Sequence, residues 1–131
     1  MTNFIIGDLI SRIKVASKGH LKQINVLNTK ISINILNIFY KTGLIRGFKI
    51  NYGHILIYLK YYQNKPIFFD IKLISKPSKK VYWSLEKLSL KYNLNTFAGF
   101  YIISTSKGLI TSTECLLGDK ISGKIILKIY I

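Results

Sequence analysis

The apolar residues of this chain change period part-way along, and that change limits the folds open to it. Ile5, Ile6, Leu9, Ile10 and Ile13 recur at three- and four-residue spacing, which predicts a helix stopping at Lys18-Gly19. Thr2 or Asn3 is placed to cap it. Ile24 and Val26 mark a short strand. Asn28 or Thr29 then opens a second helix, with Ile31, Ile35, Ile38 and Phe39 on its buried face and Thr42-Gly43 at its close. From Phe48 the period falls to two: Phe48, Ile50 and Tyr52, a turn at Gly53-His54, then Ile55, Ile57, Leu59 and Tyr61. A third strand runs from Ile67 to Ile74, with Ile67, Phe69, Ile71 and Leu73 on one face. This order, α-β-α-β-β-β, predicts an α+β fold with helices on one face of a mainly antiparallel sheet.

Ser75-Lys76-Pro77-Ser78-Lys79-Lys80 interrupts the pattern with a polar, basic, Pro-containing stretch. It reads as a linker dividing residues 1–74 from 75–131. Beyond Val81-Tyr82-Trp83, Ser84 to Leu90 predicts a helical turn. Phe100–Ile103 and Leu109-Ile110 are strands around the Ser104–Gly108 turn. Thr111-Ser112-Thr113-Glu114 has capping-box spacing, so a short helix follows from about Ser112 to Leu117. A final strand places Ile125, Leu127, Ile129 and Ile131 on one face, with Lys124, Lys128 and Tyr130 on the other.

Charge limits function more than fold. Twenty Lys plus Arg stand against five Asp plus Glu, a formal +15 on 131 residues of which 49% are apolar. A chain that can bury a core must crowd those cations onto a small surface, where they repel unless a polyanion neutralises them. Nucleic acid is the leading partner class and an anionic membrane the second. The longest apolar runs are too short to span a bilayer. The start lacks the marks of a secretory signal or an Arg-rich transit peptide. One cysteine and two histidines argue against a disulfide or a metal centre. No cofactor and no catalytic residue is expected: the five carboxylates form no close pair, and neither histidine has a carboxylate or nucleophile beside it in sequence. The abundance of Ile, Asn, Lys, Tyr and Phe matches A/T-rich codons, so much of the lysine excess reflects base composition.

Three segments carry candidate binding chemistry. Ser104-Thr105-Ser106-Lys107-Gly108 gathers three hydroxyls and an ammonium at a strand end, groups that suit phosphate, ribose or base edges. Its residue types are also those of an ordinary polar hairpin turn. Lys76, Lys79 and Lys80 beside Tyr82 and Trp83 suit a backbone-tracking surface with a stacking platform, or equally a solvated linker ahead of core aromatics. Extended backbone would put Tyr82 and Trp83 on opposite sides, with Trp83 partly buried. Ser11, Arg12 and Lys14 form the polar face of the first helix, where solvation is the usual role.

Taken together, these residues resemble the bacterial-type small-subunit ribosomal protein eight, the S-eight family. Tyr101-Ile102-Ile103-Ser104-Thr105-Ser106-Lys107-Gly108-Leu109-Ile110-Thr111 is similar to its aliphatic–Ser-Thr-Ser-Lys-Gly–aliphatic signature. Asp8-Leu9-Ile10-Ser11-Arg12-Ile13-Lys14, Gly43-Leu44-Ile45 and Ser75–Tyr82 resemble further family segments in the same order. The resemblance implies two small domains: an N-terminal α-β-α-β-β unit, and a C-terminal, mostly-β rRNA-binding unit with a short helix. It implies a structural rather than enzymatic role, direct binding to the central domain of small-subunit rRNA, support of subunit assembly, and neighbouring small-subunit proteins as partners of one copy per ribosome. Ser104, Thr105 and Ser106 would contact RNA with Lys107 and Gly108. Tyr82, Lys76, Lys79, Lys80, Arg12 and Lys14 would add to that surface. Two departures stand out: Lys76 and Ser78 replace the family's usual Arg and Gly, and Ser122-Gly123-Lys124 replaces its Gly-Gly-Glu. Lysine lacks the bidentate guanidinium fork, and Lys124 is placed to meet phosphate where the family has a carboxylate. Codon bias and the absent transit peptide point to a mitochondrial, organelle-encoded gene, with a plastid or a reduced bacterium as alternatives. A small RNA-processing nuclease is the competing function, and a basic membrane-surface protein the third.

Overall fold

The computed structural model describes residues 5–76, 78–94, 99–119 and 121–131. Thr2 and Asn3, expected as caps, and Pro77 of the expected linker lie outside them. The chain forms two compact units, Met1–Phe68 and Phe69–Ile131, consistent with an α+β fold.

In the first unit, helix α1 (Ile5–Lys18) and helix α2 (Lys30–Lys41) accompany a three-stranded antiparallel sheet. Strand β3 (His54–Leu59) lies between β1 (Gln23–Leu27) and β2 (Ile45–Asn51). The apolar periods supply the core: Leu9, Ile10 and Ile13 from α1, Ile35, Leu36 and Phe39 from α2, and Ile55, Ile57 and Leu59 from β3 are buried. The hairpin pairs Asn51 with His54, so Tyr52-Gly53 forms the turn, one residue earlier than expected, and Gly53 holds the left-handed φ of 81°. A two-residue hairpin, β4 (Tyr61–Tyr62) and β5 (Lys65–Pro66), ends the unit.

Thr29 caps α2. Its Oγ1 accepts the Ser32 backbone N–H at 3.2 Å and donates to Ser32 Oγ at 2.8 Å. This turns Ser32 inward and leaves Ile31 44% exposed, so the expected buried face begins one turn later and includes Leu36 instead.

The second unit holds a four-stranded antiparallel sheet in the order β6-β9-β7-β8. These are β6 (Asp70–Leu73), β7 (Gly99–Thr105), β8 (Gly108–Thr111) and β9 (Lys124–Tyr130). Helix α3 (Leu85–Leu94) and a π-helical segment (Glu114–Asp119) complete it. Leu88, Tyr101, Ile103, Ile110, Cys115 and Ile125 form one core cluster, with Trp83 packed on it.

Two sequence expectations change here. The strand expected to finish the first domain pairs instead with β9, from Asp70↔Tyr130 to Leu73↔Leu127. The division therefore falls between Phe68 and Phe69, and Ser75, Lys76, Ser78, Lys79 and Lys80 belong to the second unit. Alternation locates a strand without naming its partner. The strand also starts at Asp70, so the alternation fails before it: Phe68 is 8% exposed and Phe69 86%.

Thr29→Ala should remove about 1 kcal/mol of helix stability. Native-state hydrogen exchange should show α2 amides opening about fivefold more often. Unchanged protection would remove the cap from the account.

Candidate nucleic-acid interface

The β7–β8 hairpin presents the hydroxyl-rich turn. Thr105 pairs with Gly108, leaving Ser106-Lys107 as a two-residue loop, and Gly108 has a φ of 104°. The three hydroxyls differ in role. Thr105 Oγ1 donates to the Gly108 carbonyl at 2.9 Å and accepts the Lys107 N–H at 3.2 Å. It is spent on holding the turn. Ser104 and Ser106 make no side-chain hydrogen bond among the described residues, and Ser106 is exposed. They remain available to an external donor or acceptor.

A row of side chains adjoins this turn. Lys124 pairs with Ser104 on one side and forms an isolated bridge with Tyr82 on the other. Residues opposite one another across antiparallel strands share a face, so Tyr82, Lys124 and Ser104 stand in line. Tyr82 is 66% exposed, whereas Trp83 turns to the core, edge-on to Tyr101 with ring centroids 5.2 Å apart. The separation of these two aromatics follows from extended backbone, as expected.

Gly123 sets the spacing of this row. A Cβ added there would lie 2.1 Å from the Ser104 carbonyl oxygen, so only glycine allows the backbones this close. Ser122 Oγ donates to the Trp83 carbonyl at 2.7 Å, and the Ile125 N–H donates to the Val81 carbonyl at 2.9 Å. Ser75 fastens the preceding loop: its buried hydroxyl bonds the Ile125 carbonyl and accepts the Val81 N–H at 3.0 Å. Lys76 and Lys79 then exchange two backbone hydrogen bonds of 2.8 and 3.0 Å, closing a tight turn. Lys76, Lys79 and Lys80 are all exposed. Neither Ser75 nor Gly123 stood out in the sequence as a positioning residue; the isolated glycine ahead of a strand was the available signal.

Not every lysine faces outward to a ligand. Lys128 Nζ lies 5.6 Å from the Tyr101 ring centroid and 4.9 Å from that of Tyr130, and Lys72 lies 5.4 Å from Tyr130. Lys87 and Lys91 each lie 5.9 Å from the Trp83 ring. Burial lowers the Lys128 pKa, but its hydrogen bonds to Tyr130 and Tyr101 and the nearness of those phenols outweigh this and raise it. These four cations are occupied with aromatic faces. Arg12 and Lys14 belong to α1 in the first unit. Arg12 Nε is 3.0 Å from Asp8 Oδ2, an exposed i,i+4 ion pair. Among the described residues no group of three or more His, Cys, Asp and Glu could hold a metal ion, and no helix is long and apolar enough to cross a membrane.

The sequence model of the Ribosomal protein S8 family matches residues 5–130. The chain belongs to the ribosomal protein S8 family. One relative is the small ribosomal subunit protein uS8m of Acanthamoeba castellanii, 40% identical over 126 residues covering 95% of this chain and 98% of that one. Another is uS8 of Syntrophus aciditrophicus, 34% identical with 95% and 96% covered. A third is uS8c of Euglena gracilis, 32% identical with 99% and 100% covered. Like its S8 relatives, the chain is a structural constituent of the small ribosomal subunit and not an enzyme.

Gly123→Ala should destabilise the second unit by roughly 1–3 kcal/mol through overpacking. Thermal unfolding gives the magnitude, and the Ser104 and Thr105 amide resonances should shift most. Displacement confined to residues outside β7 would contradict the contact.

Proposed function

We propose that this S8 protein binds the central domain of small-subunit rRNA through the β7–β8 turn and the row beside it, and thereby supports subunit assembly. The observation that carries this is the alignment of Tyr82, Lys124 and Ser104 next to a turn whose Ser104 and Ser106 hydroxyls are unspent. Those hydroxyls read sugar and base edges, while Thr105 and Gly108 hold the turn that presents them. Lys107, Lys124, Lys76, Lys79 and Lys80 neutralise phosphates, and Tyr82 offers a stacking face. Arg12 and Lys14 add auxiliary phosphate contacts from the first unit. Lysine in place of the family's guanidinium in the loop trades directional contact for diffuse charge.

The protein acts as one copy among neighbouring small-subunit proteins and has no membrane partner. Its ribosome is mitochondrial and its gene organelle-encoded. The A/T-codon bias and the resemblance to uS8m of Acanthamoeba castellanii support that placement.

Ser104→Ala together with Ser106→Ala should weaken binding of the cognate rRNA fragment about thirtyfold, at about 1 kcal/mol per lost hydrogen bond. Far-ultraviolet ellipticity should stay unchanged. Lys107→Ala and Lys124→Ala should each reduce the slope of log affinity against log salt by about 1. Filter binding over a salt series measures both. Full affinity in the double serine variant would refute this use of the turn. Multiple-turnover cleavage of the bound fragment, with or without Mg²⁺, would instead make the protein a nuclease.

A further inference from the structure

The first unit has a second place where unusual features coincide. Strand β2 is an edge strand of its sheet, in the order β1-β3-β2. Ile45 pairs with Leu59 and Gly47 with Tyr58, so two residues of β2 face one step of β3, and Arg46 is the extra residue of a bulge. Bulges at sheet edges re-aim a side chain. This one re-aims one of only two arginines in a chain whose other eighteen basic residues are lysines.

Arg46 borders a pocket lined also by Asn37, Tyr40, Gly47, Phe48 and Tyr58. Tyr40 is 58% exposed, and Phe48 and Tyr58 are half-buried. Gly47, opposite Tyr58, leaves open space where a Cβ would stand. Phe48, opposite the fully buried Ile57, stands on the core face of the sheet and lines the pocket with Tyr40 and Asn37 of α2, while Tyr58 stands on the other face beside the open Gly47. The pocket therefore offers two aromatic side chains, a carboxamide and a guanidinium at the sheet edge, with a third ring across that edge. On its other side Arg46 borders a second recess with Lys22 and Lys60. Tyr61 also lines that recess, but its hydroxyl already donates to the Leu21 and Ala16 carbonyls, and burial raises its pKa.

We infer that this pocket takes an unpaired nucleotide of an RNA strand, its base against Tyr40 and Phe48 and its phosphate on Arg46 between Lys22 and Lys60. Flat apolar rings suit a base face. Asn37 can both donate to and accept from a base edge. A guanidinium suits phosphate as a two-pronged donor and can also stack, which an ammonium cannot do. The inference takes RNA as its partner class from the reading above, but uses none of the β7–β8 turn.

The test is nuclear magnetic resonance titration of the full chain with AMP and with UMP, using ribose 5-phosphate as the comparison probe. Shifts at Asn37, Arg46, Gly47 and Tyr58 that require the base are expected. Tyr40→Ala should weaken mononucleotide binding about tenfold, the loss of one stacking partner. Arg46→Lys should weaken it several-fold while preserving charge, and both sites are exposed enough to leave the fold intact. Equal shifts with ribose 5-phosphate would overturn the base pocket, as would unchanged affinity in both variants. The Ser104→Ala, Ser106→Ala protein should still show the pocket shifts. If that protein loses rRNA-fragment binding while the pocket shifts persist, both readings hold. If the wild-type chain shows the pocket shifts but no affinity for the fragment, the turn assignment alone falls.

Discussion

Strand β9 carries the second unit. It lies between β6 and β7, so two ladders of backbone hydrogen bonds depend on it, and at its start Lys124 and Ile125 also tie down the segment around Tyr82. Its inward side chains, Ile125, Leu127 and Ile129, are fully buried. The hydroxyl turn is thus held in place by a strand distant in sequence, through the Gly123–Ser104 contact and the Ser75 hydroxyl. A polar site made rigid by an apolar strand behind it is well suited to binding without turnover. Groups that need not rearrange lose little freedom when the partner arrives.

Charge acts on a different scale. Only five carboxylates are present, and a formal +15 remains. The second unit sets four of its ammonium groups over tyrosine and tryptophan faces, where the ring quadrupole offsets part of the repulsion. Lysine charge meets any phosphate with little discrimination. Specificity must come from uncharged groups and shape. In the proposed interface those are the two serine hydroxyls of the second unit, and in the proposed pocket the rings beside Arg46.

Much of this was legible in advance, for identifiable reasons. Helical period marked α1 and α2, and strand period marked β3 and β9, because burial on one face leaves a regular trace in sequence. The Ser104–Gly108 turn and the opposed sides of Tyr82 and Trp83 followed from local chemistry. What stayed hidden were relations across the chain. Nothing in Asp70–Leu73 says that its partner is β9, and so the division of the chain was placed after Ile74 and not at Phe68. Nothing local distinguishes Thr105, which holds the turn, from Ser104 and Ser106, which do not. The Arg46 bulge is a mismatch between two strands, so it exists only once both are paired.

The order of strands in that second sheet has a consequence for the protein's birth. Both neighbours of β9 leave the ribosome before it does. Until Lys124 to Tyr130 emerge, β6 and β7 have no shared partner, and the hairpin turn has nothing behind it. A nascent or truncated chain therefore carries the serines but not the geometry that presents them.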